Sequence, residues 1–181
     1  AGGGRPPARC RPGTFAAESK TKECAACEAG KRQSETNATA CLTCQKGSYC
    51  LSGSSAPLPC PPGTHGNATD LGGPDACVEC VAGSACQLGS TAAVLCAPGS
   101  FAAAKRSSRC TLCGEGYFQS DEGATGCVRC MPGSFCPAGS SLELPANCKP
   151  GTYANASDAD GLVSCFDCDP GFSCAGGASR P

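Results

Sequence analysis

The chain is 181 residues long, carries 20 cysteines and has a formal net charge of −1. With no Trp, one Met, six Phe and three Tyr, it lacks the side chains for one large core, so covalent cross-links must replace buried hydrocarbon. The balanced, unclustered charge excludes a nucleic-acid footprint and a polybasic membrane patch, and no apolar run is long enough to be a membrane-spanning helix.

Cysteine at this frequency marks a disulfide scaffold, and disulfides persist outside the cytosol. Three N-glycosylation triplets, at Asn37, Asn67 and Asn155, agree with that compartment. The chain begins Ala1-Gly2-Gly3-Gly4, without a signal peptide. We read it as a mature or excised fragment of a larger protein.

In chain order, residues 1–9 read as a linker or the end of a preceding repeat. A ten-cysteine super-repeat follows over 10–95, with Cys10, Cys24, Cys27, Cys41, Cys44, Cys50, Cys60, Cys77, Cys80 and Cys86. A second copy over 96–181 carries Cys96, Cys110, Cys113, Cys127, Cys130, Cys136, Cys148, Cys165, Cys168 and Cys174. Each copy contains five smaller modules. Every module opens on a cysteine with Gly three positions on, as in Cys10/Gly13, Cys27/Gly30 and Cys44/Gly47. Pro often precedes that Gly, which suits a type II turn with the glycine supplying positive φ. Two residues later an aromatic is common: Phe15, Tyr49, Phe101, Phe118, Phe135 and Tyr153. That slot is expected to pack on a disulfide. His65 fills the same slot in its module.

If ten cysteines open modules, the other ten close them. The pairing is then sequential, from Cys10–Cys24 through Cys80–Cys86, and likewise in the second copy. A loop of about 15 residues is worth roughly 3 kcal/mol in the chain-entropy account. The short loops leave an alternative open. Cys50, Cys86, Cys136 and Cys174 also have Gly at +3, so an overlapping scheme, Cys44–Cys60 with Cys50–Cys77, competes.

The fold class expected is small, disulfide-rich and irregular, with short β-hairpins and little or no helix. The modules are expected to share no wide interface and to stack end to end. A rod on the order of 100–150 Å follows from the reach of the chain.

The segments Cys44-Gln45-Lys46-Gly47-Ser48-Tyr49-Cys50 through Cys60-Pro61-Pro62-Gly63-Thr64, and Cys130-Met131-Pro132-Gly133-Ser134-Phe135-Cys136 with Cys148-Lys149-Pro150-Gly151-Thr152-Tyr153, resemble the ephrin-receptor-like cysteine-rich repeat. That repeat is related to tumour-necrosis-factor-receptor and growth-factor-receptor (EGF-like) modules. The resemblance runs from Cys10 to Cys174. It implies a large extracellular or cell-surface glycoprotein, of the sort found in arrays on algal and protist surfaces, including ciliary filaments (mastigonemes). Arg32, His65, Ala85 and Ser173 depart from the pattern at the aromatic slot.

Sharper chemistries are weaker readings. Cys24, Cys27, Cys41 and Cys44 have the spacing of a zinc ribbon, as do Cys110, Cys113, Cys127 and Cys130, but zinc leaves twelve cysteines unexplained. Thiol redox catalysis needs a helix N-terminus that the pattern does not offer. His65, the only histidine, fills a packing slot and has no partner of a catalytic pattern. Asp158-Ala159-Asp160-Gly161 lacks the bidentate Glu of a calcium loop. Lys31-Arg32 and Lys105-Arg106 read as ordinary surface. The expectation is therefore no catalytic site, no cofactor and no metal. It is an extracellular scaffold or spacer whose partners are copies of itself, neighbouring glycoproteins and N-glycans. The alternative is a ligand-binding receptor ectodomain.

Overall fold

A computed structural model describes residues 9–18, 21–131, 134–145, 148–154 and 165–175. Residue contacts divide the chain into two units, one of residues 1–80 and 86–93, the other of residues 81–85 and 94–181. Within each unit the fold is a succession of small antiparallel hairpins. Among the described residues there are nine two-stranded sheets and one helical turn, the 3-10 segment Pro74–Ala76.

The local rules explain the hairpins. In the first module the carbonyl of Arg11 accepts from the N–H of Thr14 (3.0 Å), closing a turn with Gly13 at φ 84°. The Thr14 hydroxyl donates to the same carbonyl (2.7 Å). The chain then runs as Thr14–Phe15 against Ala25–Ala26. Thr64, Ser84, Ser100 and Thr152 make the same hydroxyl bond in their own modules. Thr64, Ser84 and Ser100 are buried, and each buried hydroxyl is thereby satisfied.

All twenty cysteines are bonded, and every pair is the sequential one: Cys10–Cys24, Cys27–Cys41, Cys44–Cys50, Cys60–Cys77, Cys80–Cys86, Cys96–Cys110, Cys113–Cys127, Cys130–Cys136, Cys148–Cys165 and Cys168–Cys174. Their Cα–Cα spans, 5.5 to 6.4 Å, suit a bridge. The overlapping scheme is not adopted. Sulfur is also the core. Nearly all the largest fully buried side chains are cysteines, whereas Leu42, Val78, Val94, Leu112 and Val128 on the returning strands stay exposed.

The glycines after the short-loop cysteines have another purpose. Gly53, Gly89 and Gly139 adopt φ of 74°, 73° and 78° at a second corner in each module. Gly123 (73°), Asn37 (59°), Asp70 (67°) and Arg106 (61°) hold that corner elsewhere. It lies nine or ten residues after the opening cysteine.

The expectation of modules stacked without a wide interface did not foresee how they are joined. Consecutive modules are joined by main-chain bonds. Between the first and second, Gly13 N–H donates to Gln33, Ala16 N–H to Ala38 and Asn37 N–H to Cys10 (2.7, 3.0 and 2.9 Å). Between the second and third, Gly30, Gln33 and Gly53 donate to Cys50, Ser54 and Cys27. In the other unit, Gly99, Ala102 and Gly123 donate to Gln119, Ala124 and Cys96. Beyond this, a module meets its second neighbour. A Cβ built on Gly13 would overlap the carbonyl oxygen of Gly53, and one on Gly99 that of Gly139. The physical reason is that two-residue strands leave most N–H and C=O groups unpaired within their own hairpin, and buried groups must find partners.

Candidate functional site

The repeated junction is the most built feature of the chain. Its first half is the turn glycine, whose positive φ aims its N–H at the next module. Its second half is the corner, whose N–H returns to the carbonyl of the preceding opening cysteine. Between them sits the residue after the aromatic slot. At Cys50, Cys86 and Cys136 this is a disulfide partner. Gln33 and Gln119 hold it in the long-loop modules that precede those of Cys50 and Cys136, and Gly66 in the one that precedes Cys86. Gln33 is buried. Its Nε2 donates to the Ala40 carbonyl (2.6 Å) and its Oε1 accepts from Glu35 N–H (3.0 Å). Gln119 repeats this with Gly126 and Asp121 (2.8 and 2.9 Å). An amide side chain thus braces the hairpin from within.

In the fourth module the residue at the aromatic slot, His65, lies beside the bridge of the following module. His65 Nδ1 sits 3.7 Å from Cys80 Sγ and 3.8 Å from Cys86 Sγ. These three side chains form a cluster that would suit a metal were the sulfurs thiolates. They are bonded to each other, so neither carries the charge a metal needs. The zinc-ribbon quartet is dispersed likewise: Cys24, Cys27 and Cys44 belong to three different bridges, and Cys41 is bonded to Cys27. At the slot of the second module, the buried Arg32 Nε finds no hydrogen-bond partner among the described residues. Tyr153 is buried and meets the Phe166 ring at 6.0 Å.

Of the glycosylation triplets, Asn37 is exposed at a corner, and Asn67 is exposed just after the buried Gly66. Asn155 falls outside the described residues, as do Asp158, Asp160 and Gly161. One hollow of about 360 Å³ lies against Phe15, Ala25, Ala26, Lys31 and Cys41. The Lys31–Glu28 ion pair (3.4 Å) borders it. Sequence reasoning missed the corner and the turn hydroxyl. Ser or Thr after the turn glycine in seven of the ten modules (Thr14, Ser48, Thr64, Ser84, Ser100, Ser134 and Thr152) was the available signal for the hydroxyl.

Fold and site together define a disulfide-rich module of short hairpins, and dense disulfide bonding fits an extracellular or secreted protein. No protein-family model matches the chain, and no curated protein matches it. Among the described residues no helix is long and apolar enough to cross a membrane.

Proposed function

We propose that the chain is an extracellular structural scaffold or spacer, part of a larger surface glycoprotein or filament, built of ephrin-receptor-like modules. The observation that carries this reading is the junction: within each unit, main-chain bonds of the same kind join neighbouring modules among the described residues, which supports a fixed spacing between them. A spacer has to hold distance, and an array with bonded joints holds it better than beads on flexible links. The reading assigns the chain no catalytic chemistry. Asn37, Asn67 and Asn155 are the proposed glycan carriers, and its partners are copies of itself or neighbouring glycoproteins at the cell or ciliary surface.

Small-angle scattering of the oxidised chain tests the proposed elongation. A compact domain of this length has a radius of gyration of about 16 Å. A rod of about 100 Å has one near 30 Å, its length following from the reach argument. A value close to that of a compact domain overturns the scaffold reading. Mass spectrometry of native material tests the glycans, and bare Asn37, Asn67 and Asn155 would remove that part.

A further inference from the structure

The chain contains two Lys-Arg pairs, Lys31-Arg32 and Lys105-Arg106, and the fold treats them in opposite ways. Lys31–Arg32 is a strand, paired with Leu42–Thr43. Both residues are half-buried, Arg32 also bridges to Ser54 of the next module, and the Lys31 ammonium is held by Glu28. The next residue, Gln33, is buried, and its N–H is donated to Ser54.

Lys105-Arg106 lies in a turn of the loop closed by Cys96–Cys110. Ala103, Ala104, Lys105 and Arg106 are all exposed. Ser107 follows, small and bonded through its hydroxyl to the Ala104 carbonyl. Arg106 occupies the corner with φ 61°, where four of the six other described modules have Gly and the remaining two have Asn or Asp. A long unbranched side chain in the left-handed region is strained, and moving to extended backbone relieves that strain. Exposed loop tips of small residues are the preferred places for proteolytic nicking.

We propose that the Arg106–Ser107 peptide bond is a processing site for a serine endoprotease that reads paired basic residues through acidic pockets. Hydrolysis breaks the C–N bond between Arg106 and Ser107. Water supplies the hydroxyl of the new Arg106 carboxylate and a proton of the new Ser107 amine. The cut falls inside the Cys96–Cys110 loop, so residues 1–106 and 107–181 stay joined through that disulfide. The nick is covalently silent until a thiol reductant opens the bridge. This proposal stands independently of the scaffold reading.

The test treats the oxidised chain with a paired-basic-specific serine endoprotease and reads the products by mass spectrometry with and without reduction. The expected result is one species enlarged by a single water before reduction, and fragments 1–106 and 107–181 after it. Cleavage at Arg32 should be at least about tenfold slower, because strand opening needs more free energy than loop-tip opening. In reduced and alkylated chain both pairs should be cut at similar rates. Arg106→Asn, which keeps a residue that Asn37 shows the corner accepts, should abolish the cut while the bridges still form. Equal rates at Arg32 and Arg106 in the oxidised chain overturn the proposal. So does an Arg106–Ser107 bond that resists the enzyme in the oxidised chain.

Discussion

Gly13→Ala and Gly53→Ala make a matched pair that isolates the contact between second-neighbour modules. Both glycines have positive φ, 84° and 74°, so each alanine carries a left-handed penalty of about 1–2 kcal/mol. They differ in surroundings. The new methyl at Gly13 would overlap the carbonyl oxygen of Gly53, whereas the methyl at Gly53 meets nothing within 4 Å. Overlap with backbone in a packed site adds about 1–3 kcal/mol. Gly13→Ala should therefore destabilise its junction by about 2–5 kcal/mol, and Gly53→Ala by about 1–2 kcal/mol. A disulfide-bonded repeat array need not unfold in two states, so a single melting temperature is the wrong readout. Native-state hydrogen exchange at the Gln33 amide is better, because that N–H is donated to Ser54 (3.0 Å), next to the Gly53 corner. At roughly tenfold per 1.4 kcal/mol, the excess for Gly13→Ala over Gly53→Ala is about 5- to 150-fold faster exchange. Equal acceleration in the two variants would refute the idea that the turn glycine is required by the module two places on.

Other substitutions probe other parts of the junction. Gly53→Asn should exchange at Gln33 within a few-fold of the parent, because Asn37 already holds a corner at φ 59° and Asn tolerates that region. Ala26→Leu should stabilise the first unit by about 1 kcal/mol, read as slower exchange at the Cys27 amide. Ala26 lines the hollow, and its counterpart Leu112 reaches the Gly139 corner. Gln33→Ala should cost about 1–3 kcal/mol, because the Ala40 carbonyl and Glu35 N–H lose their partners. Faster exchange at Glu35 would report it. Thr64→Val should cost about 1 kcal/mol by removing a buried hydroxyl bond to Pro61, with faster exchange at the neighbouring Thr64 turn.

The bridges and the turns were legible in the sequence because each has a fixed local mark. A cysteine followed at +3 by glycine names both the start of a module and its positive-φ turn. Sequential closure is then the simplest pairing, although the short loops left the overlapping scheme Cys44–Cys60 with Cys50–Cys77 open until the structure showed otherwise. The corner was hidden for the opposite reason. At Gly53, Asn37 and Asp70 it is defined by a bond to the preceding module, and Gly, Asn, Asp and, at Arg106, Arg meet the same positive φ. Glycine after Cys50 therefore read as a possible module start when it was the corner of a module already open. The interface between modules was invisible too, since main-chain bonds leave no compositional trace. Nothing in a local window says that the amide of Gln33 will be enclosed by its own loop.

The joints have an evolutionary corollary. Each is made of peptide groups, which every module possesses, together with a glycine turn that every module repeats. No lock of particular side chains has to be matched across it. A duplicated or deleted module can be spliced in and still find partners on both sides, so such an array can change length by single steps without redesigning its ends.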